Sequence, residues 1–136
     1  MLSTFLNIRV LFIVAVVFAV QVSACGGDDE RVKKAAKWLK NFTQVNPPNG
    51  GWVTTNIEVA SADKVVMDVL VPMKQQVDQI KSRSKIEQSL IVSLACPPKN
   101  AEIWTILDGD QTLWVNLTAR KSDGLTETLI GASCKH

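Results

Sequence analysis

The sequence has no tyrosine and a single histidine, His136, which is its last residue. Imidazole-based acid–base catalysis, serine triads and most zinc sites require a positioned histidine. A terminal side chain is rarely held in place, so the composition argues against those chemistries. No Gly-x-Ser-x-Gly elbow and no phosphate-cradling glycine loop occurs. Charge of one sign is also scarce: 15 Lys and Arg stand against 13 Asp and Glu, for a net +2. Nucleic-acid binding domains carry a basic patch on a strongly positive surface, and nothing in this balance points to such a partner. Asp108-Gly109-Asp110 starts like a calcium loop but lacks the remaining ligand positions and the terminal glutamate, so it reads as a turn. Cys96 and Cys134 have no histidine or cysteine companions at zinc spacing, and no imidazole to activate either thiol. Neither a cofactor nor a metal is therefore expected. Paired carboxylates, as in glycan cleavage, are the one enzymatic route left open. Glu58, Asp63, Asp68, Asp78 and Glu102 are candidates, but side chains of this kind are mostly just solvated.

What the chain does contain is an uninterrupted apolar run of eleven residues at 10–20, preceded by Arg9 and followed by small residues. These are the regions of a secretory signal, and the run is short of the roughly 20 residues a membrane span needs. It closes on Val22-Ser23-Ala24-Cys25. This tetrapeptide resembles the lipobox of bacterial lipoproteins: an aliphatic residue, two small residues, then cysteine. The resemblance implies cleavage after Ala24 and acylation of Cys25. It divides the chain into a signal peptide (1–24), a short lipidated tether (25–29) and one domain (30–136). Two or more acyl chains hold a protein stably on a membrane, whereas one does so only marginally. The residue after the cysteine is Gly26 rather than aspartate, which by the lipoprotein sorting rule implies the outer membrane, facing the periplasm. Ordinary cleavage after Ala24, giving a secreted protein, and an uncleaved anchor remain the alternatives.

Cysteine parity bears on the same question. Three cysteines leave one thiol unexplained in an exported protein. Acylation of Cys25 would remove the odd one, and Cys96 and Cys134 could then close a disulfide in an oxidising compartment, tying down the C-terminus.

Along the rest of the chain, Val32, Ala35, Ala36, Leu39 and Phe42 follow the helical period, which predicts an amphipathic helix over 28–42. Asn46-Pro47-Pro48-Asn49-Gly50 ends it. Alternation predicts strands over 52–60 and 64–71, paired as a hairpin. In the first, Val53, Thr55, Ile57 and Val59 share one face, and Trp52 and Thr54 the other. Residues 73–95 read as helical, with Met73, Val77, Ile80, Ile91 and Leu94 on one side, Leu90 at its flank, and a break near 82–84. Three further strands are predicted over 101–107, 112–119 and 125–133, forming a meander. The expected fold is α+β, in the order α-β-β-α-β-β-β, with a largely antiparallel sheet and helices on one face.

Two sets of side chains are candidates for binding. Trp114 shares a strand parity with Thr112, Asn116 and Thr118, the polar side, and an exposed tryptophan can anchor a partner; Trp104 is the second tryptophan of the pair. Lys33, Lys37 and Lys40 lie on the outer side of the first helix, where they are either a solvated face or a contact with anionic headgroups. The expected role is non-enzymatic: a lipid-tethered envelope domain that binds or helps assemble another protein or an envelope component. A secretion accessory and a hydrolase inhibitor are narrower forms of this reading. A carboxylate-dependent envelope hydrolase belongs to a different class.

Overall fold

The computed structural model describes residues 27–135; the apolar run and Cys25 lie outside them. The 3.6-residue spacing of Val32, Ala35, Ala36 and Leu39 gives the first helix, α1 (Gly27–Val45), which buries these four side chains almost completely. Asn46 closes the last turn on the Phe42 carbonyl at 2.9 Å, and Pro47 and Pro48 prevent continuation. Strands β1 (Val53–Ser61) and β2 (Lys64–Leu70) follow as an antiparallel hairpin through Ala62 and Asp63. Then come helices α2 (Lys74–Lys81), α3 (Lys85–Ile91) and α4 (Ile103–Ile106), and the closing hairpin of β3 (Thr112–Arg120) and β4 (Thr126–Ser133).

The protein is α+β, with a four-stranded mixed sheet ordered β1-β2-β3-β4. Two of its ladders are antiparallel. The central one is parallel, pairing Val65 with Leu113 and Val69 with Leu117. Parallel neighbours need a long crossover, and the segment carrying α2, α3 and α4 supplies it. Alternate residues of β2 and β3 (Val65, Met67, Val69, Leu113, Val115, Leu117) are fully buried. They form one core with Val32 and Leu39 of α1, Val77 and Ile80 of α2, Val92 and Ala95 after α3, and Ile103 and Ile106 of α4. Cys96 and Cys134 are joined by a disulfide, with Cα atoms 5.7 Å apart, tying the end of the α3 segment to the residue after β4.

Three expectations are corrected. Residues 101–107 are not a strand. Ala101 N–H and Trp104 N–H bond back three residues, to Pro98 and Ala101, and Ile106 N–H bonds back to Glu102. Burial falls on Ile103, Ile106 and Leu107, a helical interval rather than an alternation. The closing meander is therefore a hairpin of two strands, and the sheet has four strands with a parallel pair at its centre. In β1, a bulge between Thr54 and Asn56 reverses the parity of the strand's start. Trp52 thus turns into the core, where its Nε1 donates to Gln76 Oε1 at 3.0 Å, while Val53 is exposed.

The third correction concerns the helical segment. It breaks at 82–84 as expected, but the break resets the phase. Val77 and Ile80 are buried and Ile91 half-buried, whereas Met73, Leu90 and Leu94 point outward. Gln88 takes the inward position; its amide donates to the Arg83 carbonyl at 2.9 Å and accepts from Lys85 at 3.2 Å, so burial leaves no polar group unpaired.

Helix α3 starts on a reciprocal capping box. Ser84 Oγ accepts from the Glu87 N–H, and Glu87 Oε2 accepts from the Ser84 N–H at 2.9 Å. That backbone bond, followed by the Ser84 hydroxyl and then Arg83, holds the Glu87 carboxyl below its ordinary value. A carboxyl depressed by folding stabilises above its unfolded pKa, and the contribution is lost as pH falls through the folded one. Ser84→Ala is expected to cost about 1 kcal/mol at neutral pH. The deficit relative to wild type should shrink when urea melts are repeated at progressively lower pH below the ordinary carboxylate value. A deficit independent of pH would show that the bond from the Ser84 hydroxyl to Glu87 plays no part.

Candidate functional site

The helices pack on the face of the sheet that carries Val65, Met67, Leu113 and Val115. The other face presents the alternate residues: Glu58 and Asn56 from β1, Lys64, Val66 and Asp68 from β2, Thr112, Trp114 and Asn116 from β3, and Gly131 and Ser133 from β4. No described helix covers its middle, and Val66, Asp68, Trp114 and Asn116 are half-buried there by one another. The face closes only at its far end, where Leu70 and Thr118 are buried.

Trp114 is fixed on this face by a cross-strand network. Its Nε1 donates to Asn116 Oδ1 at 2.8 Å, and Asn116 Nδ2 donates to Asp68 Oδ1 at 2.9 Å. Asn56 Nδ2 reaches the second Asp68 oxygen at 3.4 Å. The indole and the Asn116 amide occupy the space a side chain would need at position 131. A Cβ there would lie 2.5 Å from Asn116 Oδ1 and 2.6 Å from Trp114 Nε1. Gly131 is thus a close-approach glycine, and the aromatic ring fills the gap it leaves in the edge strand. Lys64 Nζ sits 5.6 Å from the centre of the Trp114 ring, in cation–π range. The result is a rigid, half-exposed aromatic surface rimmed by a cation, a carboxylate and two amides. Such a surface can bury apolar area and offer directed hydrogen bonds, the combination found at binding hot spots.

The other expected residues fall elsewhere. Trp104 is not on a strand beside Trp114. It belongs to α4, packs partly buried against the core on the helical side, and donates Nε1–H to the Pro98 carbonyl at 2.8 Å. Lys33, Lys37 and Lys40 are exposed on α1 as expected. Lys33, however, is held by Asp29 at 2.7 Å and Glu30 at 3.7 Å, and neighbouring Arg31 faces Asp108 at 3.7 Å. The Asp29 hydrogen bond and charge, followed by Glu30, raise the Lys33 amine above its ordinary value. A raised amine contributes stability below its unfolded pKa and loses it as pH rises through the folded one. The basic face is therefore partly neutralised at its N-terminal end. Lys40 instead lines a groove of about 500 Å³ between the end of α1 and the start of β1, with Trp52 and Thr54. Thr54 Oγ1 is buried there without a hydrogen-bond partner.

Asn56 and Gly131 were not singled out by the sequence, and Asp68 was a candidate only as one of several carboxylates, not as a partner of Trp114. Asn116 and Trp114 share a parity that was legible. Their alignment with Asp68 depends on the parallel β2–β3 register, and that with Gly131 on the β3–β4 register. Among the described residues no group of histidine, cysteine and carboxylate side chains could hold a metal ion, and no helix is long and apolar enough to cross a membrane. No protein-family model, no curated protein and no solved structure matches this chain.

Proposed function

We propose that this protein is a lipid-tethered, non-enzymatic envelope component whose domain binds another protein or an envelope constituent through the sheet face centred on Trp114. The observation that carries the binding role is the construction of that face. A half-exposed tryptophan, on a sheet face that no described helix covers, is held by Asn116, Asp68 and a glycine that leaves it room. A surface fixed in advance loses less side-chain freedom on binding. The tether rests on the resemblance of Val22-Ser23-Ala24-Cys25 to a lipobox, and the disulfide between Cys96 and Cys134, which pairs off the other two cysteines, is consistent with it.

Two measurements test the reading. Intact mass of protein extracted from membranes is expected to match residues 25–136 plus two or three acyl chains, with two thiols alkylated only after reduction. An unacylated mass would remove the tether and leave a secreted binding domain. Capture from detergent-solubilised envelope is expected to retain a partner with wild-type protein and to lose it with Trp114→Ala. Robust turnover of cell-wall glycan or peptide by the purified protein would instead place it among the carboxylate hydrolases.

A further inference from the structure

Strand β1 is an edge of the sheet, and among the described residues no backbone hydrogen bond of 53–61 leaves the β1–β2 pair. Its outer side is a row of unpaired N–H and C=O groups. Edges of this kind are ordinarily blunted by lysine, proline or shortness. β1 runs for nine residues with neither lysine nor proline, and Glu58 is its one charge. Bulges at 54–56 and 59–61 interrupt it, but between them 56–59 keep a regular register with 65–68. The opposite edge, β4, is half-buried from Leu129 to Ser133, tied by Lys81 to Glu127 and bridged just beyond its end at Cys134. We propose that the β1 edge, beneath the C-terminal half of α1, takes up an extended segment of a partner protein as a fifth strand, with acidic side chains directed at Lys40.

The backbone sets the form of the guest, because a row of main-chain groups along an extended edge is satisfied by another extended chain. The groove gives it room: the bulge after Thr54 turns Trp52 inward and leaves about 500 Å³ between 53–57 and Lys40, Thr43 and Gln44 of α1. Charge sets the side chains. Lys37, Lys40 and Gln44 recur at helical intervals on one flank of α1. Among the described residues no carboxylate pairs with Lys37 or Lys40, whereas Asp29 and Glu30 hold Lys33. Thr54, Ile57 and Val59 face the helical side, opposite Val69, Met67 and Val65, and Asn56 and Glu58 face the open one. Guest side chains alternate likewise. Those beside Thr54 and Ile57 therefore point under Lys40 and carry the acids, while those beside Glu58 are neutral. A second copy fits this edge poorly. Two-fold pairing of β1 with itself would keep both α1 helices on one face of the joined sheet and set their lysine flanks against each other. Headgroups around an acylated Cys25 would meet the N-terminal end of α1 first, and Lys40 lies about 20 Å further along the helix. The site is separate from the Trp114 face and does not depend on it.

The test is binding of a fluorescently labelled peptide of alternating glutamate and valine to the full chain in phosphatidylcholine nanodiscs, read by anisotropy at low salt. Strict alternation puts every glutamate on one face of the extended peptide. It should bind, and its lysine–valine counterpart should bind more weakly by about tenfold or more, because like charges would then face each other. Lys40→Glu should reverse that order. Lys40 is exposed, so circular dichroism of this variant should match wild type. Two further peptides carry N-methyl groups on every valine or on every glutamate. Alternate N–H groups point to opposite edges of a strand, so one of these should keep its binding and the other lose it. No binding of the glutamate–valine peptide, methylated peptides that behave alike, or an order unchanged by Lys40→Glu overturns the proposal. So does a dimer that the peptide dissociates, which assigns the edge to a second copy. So does a Lys40 amine shielded from acylating reagent in phosphatidylglycerol nanodiscs but not in phosphatidylcholine ones, which assigns it to headgroups.

Discussion

Reducing the disulfide, or replacing both cysteines as Cys96→Ala with Cys134→Ala, is expected to lower stability by about 4 kcal/mol in the chain-entropy account. The bridge closes a loop with a sequence separation of 38, and most of its effect is to restrict the unfolded chain. The loop spans α4 and the whole β3–β4 hairpin, so reduction frees the half of the sheet on which Trp114 sits. Native domains have about 5–15 kcal/mol in total, which makes this a large share. Position adds to it: Cys134 is buried, and its N–H bonds to the Leu113 carbonyl at 2.8 Å. Without the bridge the end of β4, an edge strand paired only with β3, should loosen first. Urea melts with and without reductant, and of the double variant, measure the difference. A loss under about 1 kcal/mol would show that the loop stays closed in the unfolded chain or that the bridge strains the native one.

The second large effect is expected from Gly131→Val. By intrinsic preference, valine in place of glycine should favour a strand, so a loss of stability here would have the opposite sign to propensity. The new Cβ would meet Asn116 Oδ1 at 2.5 Å and Trp114 Nε1 at 2.6 Å. Either the indole lifts off the sheet or the strands move apart. Overpacking of this kind costs about 1–3 kcal/mol, and the Trp114–Asn116–Asp68 chain of hydrogen bonds is lost with it. Expected results are a lower urea midpoint, a shift in tryptophan emission and loss of partner capture. Trp114→Ala combined with Gly131→Val is the control, because removing the ring takes away two of the three close contacts and leaves only that with Asn116 Oδ1. The double variant should recover part of the loss, a coupling that a double-mutant cycle reads directly. Strictly additive effects would show that the ring is not what the valine displaces and that the clash lies with Asn116 instead.

Both predictions rest on features that the sequence shows in unequal measure. Cysteine parity singled out Cys96 and Cys134 before any geometry. Trp114 was placed correctly on the polar side of its strand, because alternation in 112–119 is strict and sheet parity is local. Gly131 gave no signal, since its role comes from a side chain on the neighbouring strand. Trp104 was misplaced because the isoleucines beside it favour strands, while the turns after Pro98 wind the segment into helix. Leu90 and Leu94 were assigned near the core because a single helical phase was carried across 82–84, where Ser84 restarts the helix with its own cap.

By itself, then, the sequence determined the elements whose period is unbroken: α1, β2 and β3, the turns between strands, the α+β class and the cysteine pair. These depend on near neighbours along the chain. Only the tertiary structure decided that β2 and β3 run parallel, that Trp52 turns inward at a bulge, that Gln88 rather than Leu90 faces the core, and that Asp68, Asn116 and Gly131 meet around Trp114. Those outcomes depend on which surfaces far apart in sequence exclude water together, and hydrophobic burial is non-directional. A local pattern marks a face as apolar or polar, but the partner that covers it, or leaves it open, is settled by the register of the strands and the path of the crossover.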